Sequence, residues 1–97
     1  VDDDIGLEWA RIPHFYMNYY VYQYATGFSA AASLSKQILD EGEPAVRRYI
    51  DGFLKAGSSD YPIEVLKKAG VDMTSPKPIE DALGVFEKVL EEMEELL

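Results

Sequence analysis

Residues 12–35 read IPHFYMNYYVYQYATGFSAAASLS, from Ile12 to Ser35, without one Asp, Glu, Lys or Arg. A helix that lacks charge around its whole circumference belongs in the interior of a large protein or in a membrane. The stretch is long enough to span a bilayer. However, His14, Asn18, Gln23, five tyrosines, Thr26 and several serines are costly in hydrocarbon, and few aliphatic residues offset them. We therefore expect a packed central helix over residues 12–39 and no membrane span. Pro13 suits an early helical position, where its missing N–H has no intrahelical partner to lose. Gly27 lowers helix propensity modestly, and Ala30-Ala31-Ala32 lets a neighbouring helix approach closely.

Outward from this stretch, glycine and proline punctuate the chain and no segment alternates as a strand would, so the expected class is all-α with about four helices. Residues 1–11 form an acidic N-terminal segment that opens Val1-Asp2-Asp3-Asp4. After Asp40-Glu41-Gly42-Glu43-Pro44, the residues Val46, Tyr49, Ile50, Phe53 and Leu54 fall on one face of an amphipathic helix ending near Gly57. Pro62 then starts a short helix carrying Ile63, Leu66 and Ala69, stopped by Gly70, with Lys67 and Lys68 complementing the negative end of its dipole. Thr74-Ser75-Pro76-Lys77-Pro78 is a stiff linker. Beyond it, Ile79, Leu83, Phe86, Leu90, Met93 and Leu97 make an apolar seam at spacings of four and three. We expect residues 44–97 to supply three packing helices and the seam to dock on the other helices. The same spacing also suits pairing between two copies in a homo-oligomer, although it lasts under three heptads. Glu91-Glu92-Met93-Glu94-Glu95 reads as a solvated acidic face.

The 97 residues carry 9 Lys and Arg against 18 Asp and Glu, a formal net charge of −9, and no basic run exists to neutralise phosphates or anionic lipids. Nucleic acid is excluded as an expected partner. The absence of cysteine rules out a thiol nucleophile, a disulfide framework and a thiolate zinc site, and it favours a reducing, cytoplasmic setting. The opening acidic residues do not resemble a secretory signal. Because the first residue is Val1 and three short helices would struggle to cover all sides of the charge-free helix, we read the chain as one segment of a longer polypeptide. Part of that helix then faces missing polypeptide or a binding cleft.

At about 100° per residue, Phe15, Tyr19, Tyr22 and Thr26 form one stripe, and Tyr16, Tyr20, Gln23 and Gly27 an adjacent one. Each tyrosine carries a hydroxyl that needs a partner when buried, and Tyr16, Tyr19, Tyr20, Tyr22 and Tyr24 crowd into a short span. Aromatic packing with hydroxyls on backbone would explain an isolated tyrosine, whereas a wet cleft better suits this cluster beside His14. His14 is the sole histidine and cannot make a zinc site by itself. If residue 14 is helical it points away from Tyr16 and Tyr20; otherwise it projects from a non-helical stretch near Pro13. No phosphate-binding glycine loop, glycosidase carboxylate pair or serine nucleophile elbow is present.

Trp9-Ala10-Arg11-Ile12-Pro13-His14-Phe15-Tyr16, followed by Tyr20-Val21-Tyr22-Gln23-Tyr24-Ala25-Thr26-Gly27, resembles the signature of the oligoendopeptidase F family, whose relatives include thimet oligopeptidase-like enzymes. The resemblance runs on through Gly42 to Tyr49 and Tyr61 to Val71. It implies a C-terminal portion of a larger, mainly helical zinc metallopeptidase that cuts short peptides inside a deep channel. In that family an HExxH motif and a further glutamate hold zinc, the metal activates a water, and tyrosine and histidine side chains stabilise the oxyanion. HExxH is absent here, so this chain is expected to bind no metal and to be inactive alone, zinc belonging to the complete enzyme and the remainder of the same polypeptide being its partner. The resemblance assigns catalytic roles to Tyr22 first, then His14 and Tyr19, and substrate binding to Tyr16 and Tyr20. The competing reading is a non-enzymatic helical module that binds another protein through the aromatic helix and the C-terminal seam.

Overall fold

The computed structural model describes residues 2–97, and Val1, the first residue of the acidic N-terminal segment, lies outside the described residues. Within them the chain is helical and contains no strand. Two 3₁₀ segments, Asp3–Arg11 and Pro13–Tyr16, lead into α1 (Tyr22–Glu41). Then follow α2 (Glu43–Arg48), which continues as a π-helical turn over Tyr49–Leu54, α3 (Pro62–Ala69) and α4 (Lys77–Leu96). No helix among the described residues is long and apolar enough to cross a membrane.

The central helix starts ten residues later than the pattern predicted, at Tyr22 instead of residue 12. Tyr19 sits at φ 59°, in the left-handed region that interrupts an α-helical path. Bonds of i to i−3 type, Phe15 N–H to the Ile12 carbonyl and Met17 N–H to the His14 carbonyl, both 3.3 Å, tighten the preceding chain into 3₁₀ turns. Aromatic, β-branched and Asn residues dominate this run and have no strong preference for the α-helix, so tertiary context decides its path. Once begun, α1 buries Ser29, Ala30, Ser33 and Leu34 on one face.

That face meets two neighbours. Ala30 and Leu34 cluster with Ala69 and Val71 from the end of α3, and Tyr49, Phe53, Leu66 and Met73 pack around them half-buried. Tyr49 and Phe53 stack with ring centroids 5.7 Å apart, the π turn having brought positions four apart together. Because a π turn holds more residues than an α turn, the expected stripe is divided: Tyr49 and Phe53 face inward, and Leu54 stays 57% exposed. Gly70, at φ 104°, caps α3, and its carbonyl accepts from Gln37 Nε2 at 2.9 Å, tying that cap to α1.

The other neighbour is α4, which docks through buried Pro78 and Ala82. Ser33, only 2% exposed, donates its hydroxyl to Asp81 across 3.0 Å, and Lys77 Nζ reaches the same carboxylate at 3.0 Å. The expectation that the seam docks on this chain's helices is wrong. Leu83 is 61% and Phe86 68% exposed, and Ile79, Leu90, Met93 and Leu97 are exposed as well. At 100° per residue, Ala82 and Pro78 lie well to one side of the line through Ile79, Leu83 and Phe86, so seating the former against α1 turns the latter outward.

The clasp between α1 and α4 predicts a pH dependence. Burial works to raise the Asp81 pKa, but hydrogen bonds from Lys77 and Ser33 and the charges of Lys77 and Lys36 outweigh it, leaving the carboxyl below its ordinary value. A carboxylate depressed in the folded state contributes stability that is complete above its unfolded pKa of about 3.9 and is lost as pH falls through the folded value. Urea midpoints followed by circular dichroism are expected to fall below about pH 4 more steeply for the wild-type chain than for Asp81→Asn. Equal slopes would remove Asp81 from the account.

Candidate functional site

The 3₁₀ turn at Pro13–Tyr16 and the left-handed residue Tyr19 fold the aromatic run back on itself, which brings residues without helical spacing together. The His14 imidazole lies flat against the Tyr20 ring, centroids 4.7 Å apart and planes within 6°. Tyr24, on the first turn of α1, leans on both, 5.9 Å from His14 at 52° and 6.0 Å from Tyr20 at 58°. Tyr20 and Tyr24, with Gln23, line a small cavity of ≈ 180 Å³. A ring stacked through its face keeps its edge available, and both imidazole nitrogens lie on that edge.

The remaining expected residues separate by role. Tyr16 donates its hydroxyl to the Ala10 carbonyl at 2.7 Å, which ties the 3₁₀ segments together and occupies its proton. Tyr19 is 83% exposed and Tyr22 60% exposed, neither ring joining the His14 stack. Tyr22 is the first residue of α1, whose 20 residues point the positive end of their dipole toward this corner. The Tyr24 phenol is raised above its ordinary pKa, by partial desolvation first and then by the neighbouring Tyr20, and so stays protonated at neutral pH. Tyr24 is not among the residues expected from the sequence, although its spacing of four from Tyr20 is a helical-neighbour signal.

Among the described residues, no group of three or more His, Cys, Asp or Glu side chains is arranged to hold a metal ion. His14, the one histidine of the chain, is stacked on Tyr20. The roomier grooves lie elsewhere. One of ≈ 450 Å³ runs along α1 beside Leu34, Ile38, Tyr49 and Phe53 and is lined mostly by apolar side chains.

The model of the family described as Peptidase family M3 matches residues 2–85, nearly the whole chain and all of the aromatic corner. The chain belongs to that family. Over its full length it is 76% identical to the Oligopeptidase PepF of Bacillus subtilis (strain 168), of which it covers 14%. It is 50% identical to the chromosomal Oligoendopeptidase F of Lactococcus lactis subsp. cremoris over 97% of this chain and 15% of that protein. The crystal structure of oligoendopeptidase-F from Enterococcus faecium matches with a TM-score of 0.81 at 60% identity, covering 98% of this chain and 18% of that one. The resemblance carried by the two aromatic blocks is therefore a family relationship, and the fold is an M3 fold segment. The chain spans less than a fifth of the length of these relatives.

Proposed function

We infer that this chain works as the C-terminal, substrate-binding part of a zinc-dependent oligoendopeptidase that hydrolyses short peptides. The supporting observation is the aromatic corner, where the edge of His14, set by its stack on Tyr20, and the exposed phenol of Tyr22 sit at the positive end of α1 in a chain whose relatives are named oligopeptidases. Protonated phenols and an imidazole N–H can donate to a peptide carbonyl and, more strongly, to the oxyanion that forms when the carbonyl is attacked. Zinc, held by the rest of the polypeptide, would supply an activated water. On this reading Tyr22 and His14 stabilise the oxyanion, Tyr19 and Tyr20 contact the substrate, and Tyr16 anchors the loop. The exposed seam of α4 and the grooves along α1 are surfaces for the remainder of the enzyme.

The exposed seam is also what a non-enzymatic interaction module would present, so the two readings need a direct test. The reading frame upstream of the Val1 codon is expected to encode HExxH and a downstream glutamate. The full-length protein is expected to cleave a quenched fluorescent peptide, to fall to background with a zinc chelator and to recover when zinc is returned; the 97-residue chain alone should give no cleavage. A start codon just upstream of Val1 would favour the interaction module.

A further inference from the structure

We propose that Tyr24 is a positioning residue, whose ring braces His14 against Tyr20 and thereby aims the imidazole edge at the substrate. This rests on the peptidase reading above. His14 belongs to a 3₁₀ turn separated from α1 by residues 17–21, whereas Tyr24 stands on the regular backbone of α1. A stack between two loop side chains is free to slide unless something rigid meets it. Tyr24 meets both members, tilted at 52° to the imidazole and 58° to the Tyr20 ring, which are favourable arrangements for aromatic quadrupoles at these separations. The contact with His14 is made by the ring, so on this proposal the shape of the side chain carries the bracing, and the hydroxyl, which interacts with that of Tyr20, does not. The bracing role also explains why His14 can act from a loop: the stack transfers the rigidity of the helix to it, and displacing a catalytic group by about 1 Å can lower the rate by about 10²-fold.

The test uses the full-length enzyme. Tyr24→Leu is expected to lower kcat for a short peptide by about 10- to 10²-fold with KM within about threefold, and Tyr24→Phe to retain kcat within about threefold of wild type. In a His14→Ala background, Tyr24→Leu is expected to cause no further loss, because the group it positions is gone. A crystal structure of the full-length Tyr24→Leu variant is expected to find the imidazole displaced from Tyr20. An imidazole still parallel to Tyr20 at the wild-type 4.7 Å would overturn the proposal, whatever the kinetics. Additive losses with His14→Ala, or a Tyr24→Phe variant as impaired as Tyr24→Leu, would overturn it too, the latter by assigning the work to the hydroxyl. A wild-type enzyme that cleaves no peptide would refute the peptidase reading instead, and the crystallographic comparison would still decide the bracing.

Discussion

Tyr22→Phe in the full-length enzyme is expected to lower kcat for a short peptide by about 10²- to 10³-fold, the usual loss when one preorganised oxyanion donor is removed. The substitution deletes a single oxygen from a ring that is 60% exposed, so stability should change little. KM should change less than kcat, because the hydrogen bond is worth most where negative charge develops. Steady-state kinetics on a defined peptide, with a urea midpoint as the folding control, read both quantities. Unchanged kcat would take Tyr22 out of the oxyanion role and move attention to Tyr19, whose phenol is 83% exposed.

Gly52→Ala is the second large expected effect, and it acts on stability. A β-carbon at Gly52 would stand 2.9 Å from the Lys68 carbonyl oxygen, 3.0 Å from its carbon and 3.1 Å from the Ala69 nitrogen. All three are backbone atoms of α3, which cannot swing aside as a side chain does. Relief requires moving α3 away from the π turn, loosening Ala69 and Val71 in the core. Overpacking of this kind costs about 1–3 kcal/mol, more than the roughly 0.5–1 kcal/mol that replacing a helical glycine by alanine otherwise returns. Gly84→Ala in α4 is the control, since a β-carbon there meets nothing within 4 Å. Denaturant midpoints should therefore fall for Gly52→Ala and rise slightly for Gly84→Ala. A rise for both would show that α3 can yield at no cost.

Much of this architecture was legible because proline and glycine punctuate it. Pro44, Pro62, Gly70 and Pro78 mark helix ends close to where the structure has them. The family relationship was legible from the aromatic blocks around His14 and Tyr22. The start of α1 was not, because a charge-free run of aromatics has no period to lose when it leaves the α-helix, and the left-handed Tyr19 has no glycine to announce it. Nor was the direction of the α4 seam, since an apolar stripe states that a surface wants cover without stating what covers it. The pairing of His14 with Tyr20, six positions apart, follows neither helical nor strand spacing and became visible only with the backbone path.

The π turn at Tyr49–Leu54 makes the number of residues in that segment part of the design, independently of what the residues are. The Lys55 N–H bonds to the Ile50 carbonyl five residues back, at 2.9 Å, so one residue there is surplus to an α-helical count. Every side chain in a helix is aimed by how many residues precede it, each advancing the direction by about 100°. Drift in this protein can therefore change letters at exposed positions of the turn, such as Asp51 and Leu54, far more freely than it can change length. A single-codon gain or loss would re-aim Phe53 away from the core while leaving the local sequence almost intact.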